Sequence, residues 1–324
     1  MILVTGGAGY LGSCLARALI TNGEAVRILD LKRTKYVPDG AEFLAGDMRE
    51  TRIVARAVAD AEVVFHLAFV QSMSKLPESE RRDVNIRGTQ NVLDASAAAG
   101  VRRLVFGSTI EIYGTRPPFP CREDAATDEP VGWYGRHKLE CEHMVRRSIG
   151  DRGLAASIVR MPTICGPGFY NHRPVLSFMD RIIDGKALAV VGDGGTPGHF
   201  VHYLDCLQGL QLAARRPEAI GQAFNISAKE PSTQLQIMEA MIAAVGSRSK
   251  IIKIPRWIVR SFLEAIVALR ITDFPRDQFG YLLYPNVYSN EKAARLLGYR
   301  PSKTTAEAAA DLIAHYRTDR EYLK

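Results

Sequence analysis

Cysteine and tryptophan are scarce in this chain, whose 324 residues include five cysteines and two tryptophans. The cysteines, at positions 14, 121, 141, 165 and 206, form no C-x-x-C pair. Their odd number and wide spacing argue against a disulfide framework and against a zinc site, so we predict no bound metal. Met1 leads directly into "ILVTGG", without the charged and apolar regions of a signal peptide. We therefore expect a reducing compartment, the cytoplasm.

Long uninterrupted apolar runs are also missing. One apolar stretch, "IPRWIVRSFLEAIVALRI" at 254–271, is broken by Arg256, Arg260, Glu264 and Arg270. A membrane span needs about 20 largely uncharged residues, so we predict no stable membrane insertion. The pattern favours an amphipathic helix that packs on the protein's own body; a lid over an apolar or bulky substrate and attachment to a membrane surface are the alternatives.

Acidic residues are outnumbered, and the net charge is +7. The basic residues are scattered and form no stripe, so we predict no nucleic-acid partner. Attraction to an anionic small molecule fits the charge equally well.

Short apolar runs alternate with helical patterns through the first half of the chain. Examples are "ILVTG", "YLGSCLARALITNG", "AVRILD", "RIVARAVADA", "EVVFHLA" and "RRLVFGS". This rhythm predicts an α/β fold in which helices cover both faces of a parallel, doubly wound sheet.

The first turn, "TGGAGYLG", places Gly6, Gly9 and Gly12 between a strand and a helix. Glycines there let the backbone approach a pyrophosphate, and the helix offers free N–H groups and its positive dipole end. Asp30 ends the second predicted strand, where a carboxylate accepts hydrogen bonds from a ribose 2′-hydroxyl. The pattern predicts dinucleotide binding and favours NAD; Lys32 and Arg33 keep NADP as the alternative.

The stretch "WYGRHK" places Tyr134 four residues before Lys138. On a helix, this spacing puts both side chains on one face. An ammonium about 4 Å from a phenolate contributes on the order of 4 kcal/mol at an effective dielectric of about 20, or roughly 3 pKa units. We therefore expect Lys138 to lower the pKa of Tyr134 and the pair to move a proton to or from an alcohol.

Together these segments resemble the extended short-chain dehydrogenase/reductase superfamily, in its NAD-dependent epimerase/dehydratase group. The resemblance covers nearly the whole chain. The motifs that carry it, in family order, are "TGGAGYLG", "AGDMRE", "HLAF", "VNIRGTQNVLDA", "LVFGSTIEIYG", "YGRHK", "RMPTICGPG", "FNISAKEP" and "NEKAARLLGYRP".

The resemblance implies a set of site residues. It assigns catalysis to Tyr134, Lys138, Thr109, Glu111 and Asn85. It assigns cofactor contacts to Gly6, Gly9, Tyr10, Leu11, Gly12, Asp30, Asp47, Met48, Leu67, Ala68, Lys138 and Pro162. It assigns substrate contacts to Ser108, Thr109, Thr163, Arg173 and His199. In these roles Tyr134 is the acid/base, Lys138 binds the nicotinamide ribose, and Thr109 orients the substrate oxygen.

Some positions depart from the family pattern. Glu111 follows Ile110. The family's dehydratases carry an acidic or hydroxyl residue at the position of Ile110, where it can donate a proton to the leaving hydroxyl. Isoleucine cannot donate a proton, which argues against dehydration. Glu111 is then either a base or a hydrogen-bonded loop residue. Gly198 in "GDGGTPGHF" replaces the arginine that grips the diphosphate of nucleotide sugars. His199, Arg173, His172 and Arg276 are candidates to compensate for it, and a surface or packing role is the alternative for each.

The resemblance implies a Rossmann domain at 1–165 plus about 196–228, a smaller substrate domain at about 166–195 plus 229–324, and a homodimer formed through 79–99 and 134–149. The expected activity is hydride transfer between a secondary alcohol and NAD on a small-molecule substrate, with a nucleotide-sugar 4-epimerase as the first interpretation. A dehydrogenase or reductase of a non-nucleotide alcohol, similar to the 3β-hydroxysteroid dehydrogenases, is the second. A non-catalytic dinucleotide-binding protein is the third.

Overall fold

The computed structural model describes residues 1–170, 173–198, 200–269 and 279–323. Its strands are β1 (Ile2–Thr5), β2 (Val26–Asp30), β3 (Glu42–Ala45), β4 (Val63–His66), β5 (Arg103–Thr109), β6 (Ala156–Met161), β7 (Thr163–Cys165), β8 (Leu188–Val191), β9 (Pro197–Gly198), β10 (Phe200–His202), β11 (Ala223–Asn225), β12 (Ser232–Thr233) and β13 (Ile251–Ile254). Its α-helices are α1 (Tyr10–Thr21), α2 (Thr51–Val58), α3 (Glu78–Arg82), α4 (Gly88–Ala98), α5 (Gly132–Arg152), α6 (Arg173–Ile183), α7 (Tyr203–Arg215), α8 (Gln234–Val245), α9 (Arg256–Ala268), α10 (Gly280–Leu283), α11 (Glu291–Leu297) and α12 (Thr305–Leu323).

A seven-stranded parallel sheet organises the first part of the chain. Its strand order is β11-β6-β5-β4-β1-β2-β3. The order reverses direction between β1 and β4, which pair in parallel. In such sheets ligands bind in the crevice beyond the carboxyl ends of the strands at the point of reversal. The predicted α/β fold with a doubly wound parallel sheet is confirmed.

Both faces of this sheet are covered by helices. Alternate residues of one strand point to opposite faces, so Leu3 joins the core beneath α2, α4 and α5, whereas Val4 joins the core beneath α1 and α7. Both side chains are fully buried. Each buried aliphatic side chain contributes about 1.5–3 kcal/mol, which explains the nearly continuous apolar runs of these strands.

A further core lies in the second half of the chain, between α6, α8 and α12. Met179, Ile182, Met241 and Ile313 are buried there. Strand β13 pairs in parallel with β8 beside this core. These elements fall within the segments assigned to the substrate domain, and the division into two domains stays a prediction.

Helix α9 follows β13 and differs from the other long helices because none of its residues is buried. Among the described residues, no helix combines the length and the apolar character that crossing a bilayer requires.

Candidate active site

The glycine turn lies at the carboxyl end of β1, against the end of β4. Gly6 has a φ of +71°, and a Cβ atom there would lie 2.7 Å from Cα of Ala68. A Cβ atom on Gly12 would lie 2.3 Å from the carbonyl oxygen of Gly6. Only glycine fits either position, because the turn, the first turn of α1 and the end of β4 are in close contact.

The turn leaves room for a ligand above it. Gly9 precedes α1 and provides no side-chain cap, and a Cβ atom on it would approach only the Gly6 carbonyl oxygen, at 3.3 Å. Uncapped N–H groups at a helix start suit a phosphate. The Asp30 carboxylate accepts hydrogen bonds from the backbone N–H groups of Ala8 at 3.0 Å and Leu31 at 2.8 Å. These residues fit a dinucleotide, with Asp30 fixed where a ribose is expected.

The other predicted cofactor residues are at the same edge of the sheet. Asp47 follows β3, and its carboxylate accepts two guanidinium hydrogen bonds from Arg49, at 2.9 and 2.6 Å, which lower its pKa. Met48 is buried against Gly88. Leu67 and Ala68 follow β4, and both backbone N–H groups donate hydrogen bonds to Oγ1 of Thr5 at 3.2 Å. Leu11, in the first turn of α1, packs against the core on that face of the sheet.

The side chain of Tyr10 contacts the segment after β7. Its hydroxyl donates a hydrogen bond to the Pro167 carbonyl at 2.9 Å, and its ring centroid is 5.1 Å from that of Phe169. Burial raises its pKa. In this arrangement the backbone N–H of Tyr10, rather than its phenol, is placed for a cofactor.

Lys138 lies on α5 and is 4% exposed. Its Nζ donates a hydrogen bond to the Gly107 carbonyl at 2.6 Å and lies 3.7 Å from the ring centroid of Phe69. The Tyr134 ring centroid is 5.9 Å from the same nitrogen. Burial lowers the pKa of Lys138 to about 7. Burial therefore disfavours the charged form of the lysine, and a ligand that accepts its hydrogen bonds would favour that form again.

The lowered Tyr134 pKa that the spacing predicts is not found. Burial, followed by the Glu111 carboxylate, raises the pKa of Tyr134. The Lys138 ammonium is directed to Gly107 and to the face of Phe69, and burial disfavours its protonated form. Phe69 also meets the Tyr134 ring edge-on, with centroids 5.6 Å apart. The sequence did not single out this aromatic, because nothing in a loop sequence marks which ring covers a site.

Thr109 ends β5 and precedes a 3₁₀ turn, Ile110–Tyr113, which carries Glu111 close enough to Tyr134 for its carboxylate to raise the pKa of the phenol. The Glu111 backbone N–H donates to Oγ1 of Thr109 at 3.2 Å, and the Glu111 carbonyl accepts from the Val131 N–H at 2.8 Å. A Cβ atom on Gly135 would lie 3.0 Å from that carbonyl oxygen. The small residue beside Tyr134 thus lets α5 begin directly against the turn.

Asn85 is fully buried in a π-helical turn, Asp83–Arg87. Its Oδ1 accepts a hydrogen bond from the Val70 backbone N–H at 2.8 Å, and its Nδ2 lies 3.3 Å from Nδ1 of His137. Single π turns often occur at functional sites. Here the turn places an amide between the chain after β4 and helix α5, which fits the predicted role of holding the backbone of the site.

Ser108 belongs to a buried network that the sequence analysis missed. Its hydroxyl donates to Glu142 at 2.6 Å, and Arg160 donates to both Glu142 oxygens, at 3.0 and 2.7 Å. Arg160 also donates to the Tyr113 hydroxyl at 2.6 Å, which donates to Oδ1 of Asn225 at 2.8 Å. With its hydroxyl engaged and 4% of the residue exposed, Ser108 supports the site from within; the predicted substrate contact would need another rotamer.

The remaining predicted residues are Pro162, assigned to the cofactor, and Thr163, Arg173 and His199, assigned to the substrate. Pro162 is buried between β6 and β7, and Thr163 is exposed at the start of β7, opposite Phe200. Arg173 begins α6. The side chain of Arg173 and the whole of His172, His199 and Arg276 lie outside the described residues.

Comparison with known proteins agrees with this geometry. Residues 2–227 match the family described as the NAD dependent epimerase/dehydratase family. The chain is 35% identical to a UDP-glucose 4-epimerase of Streptomyces lividans over 235 residues, which cover 66% of this chain and 71% of that protein. It is 28% identical to a 3 beta-hydroxysteroid dehydrogenase/Delta 5→4-isomerase of Mycobacterium tuberculosis over 351 residues, covering 100% of this chain and 92% of that one.

A solved structure is similar over nearly the full length. The UDP-glucose 4-epimerase of Thermus thermophilus, in complex with NAD, superimposes with a TM-score of 0.77 at 26% identity, covering 98% of each chain.

The chain belongs to the NAD dependent epimerase/dehydratase family. It is an NAD-dependent oxidoreductase of the extended short-chain dehydrogenase/reductase type. The predicted family, enzymatic character and NAD cofactor are confirmed.

Proposed function

We propose that the chain interconverts a secondary alcohol and its ketone, with Tyr134 as the acid/base. The observation that carries the proposal is that Tyr134 and Lys138 share one face of α5, which begins against the 3₁₀ turn that follows Thr109, at the sheet edge that also bears the glycine turn and Asp30. Bound NAD supplies the acceptor or donor of hydride. Tyr134 would take the hydroxyl proton of an alcohol, and Thr109 would hold the same oxygen by a hydrogen bond.

Lys138 would donate hydrogen bonds to the cofactor ribose and to the Tyr134 phenol. In the structure its ammonium has one hydrogen-bond partner, the Gly107 carbonyl, among the contacts of the described residues. Two N–H groups are therefore available for ribose hydroxyls and for the Tyr134 phenol. With such acceptors in place the protonated form gains stability, which opposes the lowering by burial.

We propose an apolar, non-nucleotide alcohol as the substrate. Gly198 offers no cation for a diphosphate, and Ile110 offers no proton beside Glu111 for a dehydration. The similarity to the Mycobacterium tuberculosis hydroxysteroid dehydrogenase extends over the whole chain, including the part expected to bind substrate. These observations support an uncharged substrate of steroid-like polarity.

A nucleotide sugar epimerised at C4 is the second candidate. Over its shorter matched region, the Streptomyces lividans epimerase has a higher sequence identity to this chain than the Mycobacterium tuberculosis enzyme has. In addition, Nη2 of Arg256 lies 3.3 Å from Oγ1 of Thr196, two residues before Gly198. Residues two apart on an extended segment share a face, so we take Arg256 as the candidate for the missing phosphate anchor.

The test loads the purified protein with NAD and offers a 3β-hydroxysteroid, UDP-glucose or UDP-galactose in separate reactions. Net NADH and ketone from the steroid would support the first candidate. Interconversion of the two sugars without net NADH would support the second and overturn the first. The Tyr134→Phe variant, run in every arm, shows whether turnover uses the proposed site; product from none of the three overturns both substrate assignments.

We further propose a homodimer formed through α4 and α5 and a cytoplasmic location. All five cysteines have free thiols, which suits a reducing compartment. Sedimentation equilibrium tests the dimer: a monomer at micromolar concentration would contradict it.

We expect Glu111→Gln to shift the pH profile of alcohol oxidation to lower pH. The carboxylate raises the pKa of Tyr134, and oxidation needs the deprotonated phenol, so the rate rises with pH through that pKa. Removing the charge should move the rise down by about 0.5–1 pH unit. The measurement is kcat/KM for NADH formation against pH, with the exposed Glu291→Gln as control. An unchanged or upward-shifted profile would contradict the electrostatic coupling.

A further inference from the structure

Helix α9 presents an apolar face to solvent. Trp257 is 71% exposed, Phe262 62% and Ile258 40%, and Leu269 just after the helix is 69% exposed. Since successive helical residues turn by about 100°, these four side chains and the exposed Ala265 and Ala268 fall within one arc, which Ser261 alone interrupts. The half-buried residues Val259, Leu263, Ile266 and Val267 occupy a separate arc. The exposed apolar face is therefore additional to the face that packs on the protein.

The chain around this helix is strongly basic. Residues 240–263 contain no Asp or Glu. They contain five cations, all of them exposed: Arg248, Lys250, Lys253, Arg256 and Arg260. Two of these, Arg256 and Arg260, lie on the helix itself, whose one acidic residue is Glu264. On the helix wheel Glu264 lies between Trp257 and Arg260, and Arg256 lies opposite the exposed apolar face, so the positive charge comes mainly from Arg260 and the segment before the helix. An exposed aromatic face within a basic stretch of chain combines the two features that bind an anionic lipid surface, burial of apolar side chains and attraction to the headgroups.

A second copy of the chain suits this face less well. In a twofold dimer each patch meets itself, so the cations of one copy would face those of the other. Like charges brought together in this way oppose association. An anionic bilayer meets both requirements, since it accepts the aromatic face and neutralises the cations.

We propose that α9, with the basic segment 248–260, docks on the surface of anionic membranes. The helix would lie in the plane of the interface with Trp257 and Phe262 below the headgroups. This docking is a binding property and does not depend on which alcohol the enzyme uses.

The test uses the full chain with vesicles of phosphatidylcholine alone or mixed with phosphatidylglycerol. Trp133→Phe leaves Trp257 as the sole tryptophan. We expect its emission to shift to the blue and to be quenched by brominated acyl chains with the anionic vesicles. Lys253→Gln with Arg260→Gln should weaken this binding about thirtyfold, since each basic residue near an anionic surface contributes about 1 kcal/mol.

Phe262→Ser with Leu269→Ser should abolish cosedimentation with the anionic vesicles. The matched control, Leu204→Ser with Ile220→Ser, removes exposed apolar side chains elsewhere and should bind like the wild type; circular dichroism checks folding of both. Three results would each overturn the proposal: no binding by the wild type, equal binding to neutral vesicles, or equal binding by the Phe262/Leu269 variant. If that variant instead converts a lipid-free oligomer to monomer without changing lipid binding, the face belongs to a second copy.

Discussion

Turnover of the Tyr134→Phe variant is expected to fall about 10²- to 10⁴-fold, the contribution of a positioned acid or base. The substitution removes one hydroxyl and keeps the ring that meets Phe69 edge-on at 5.6 Å. Folding and NAD binding should therefore be retained. The measurement is kcat with the substrate identified by the screen, together with the NAD affinity of the same preparation.

Tyr36→Phe is the matched control, because it removes a phenol hydroxyl from an exposed tyrosine and should leave kcat unchanged. If Tyr134→Phe keeps wild-type turnover, another group moves the proton and the proposed mechanism fails. If both variants lose activity equally, the loss does not report on the site, and the assignment of Tyr134 loses its support.

Breaking the ion pair beneath the site is expected to cost about 3–5 kcal/mol of unfolding free energy, as removal of one partner leaves a buried charge unpaired. The Arg160 and Glu142 side chains are 3% and 1% exposed, with nitrogen and oxygen 2.7 Å apart. Glu142→Leu leaves the Arg160 guanidinium without its carboxylate and leaves Ser108 without its acceptor. Urea unfolding followed by circular dichroism measures the loss.

The double variant Glu142→Leu with Arg160→Met measures the interaction energy between the two residues. Because it buries no unpaired charge, it should be less destabilised than the sum of the single variants. The surface pair Arg122–Glu291, whose side chains are 62% and 69% exposed, provides the comparison. Breaking that pair should cost no more than about 1 kcal/mol. Similar losses from both pairs, or an additive double variant, would contradict a strongly coupled buried network.

Much of the fold and the cofactor site could be predicted because their signals are local. The turn around Gly6 and Gly12, the acidic residue that ends β2 and the strand–helix alternation each depend on a few neighbouring residues. The structure brings them together at the reversal of strand order, where β1 meets β4. Local chemistry and topology agree there, so little tertiary information was needed.

The properties that the sequence did not predict depend on burial, which no local pattern specifies. The pKa of Tyr134 is raised rather than lowered because partial burial and the nearby Glu111 carboxylate both disfavour the phenolate. The position of Glu142, four residues after Lys138 on α5, was a usable signal, since that spacing puts it on the same helix face. Its partner Arg160 comes from a neighbouring strand, and only the tertiary fold reveals that contact.

The central claim, that hydride passes directly from the alcohol carbon to NAD, is tested most directly by isotope labelling of that hydrogen. A substrate from the screen is labelled with deuterium at the carbinol carbon and mixed with NAD-loaded protein, and the released cofactor is analysed by mass spectrometry after quenching within one turnover. Direct hydride transfer predicts deuterium in the reduced cofactor. Product that forms while the deuterium passes to water and never enters the cofactor would contradict hydride transfer to NAD.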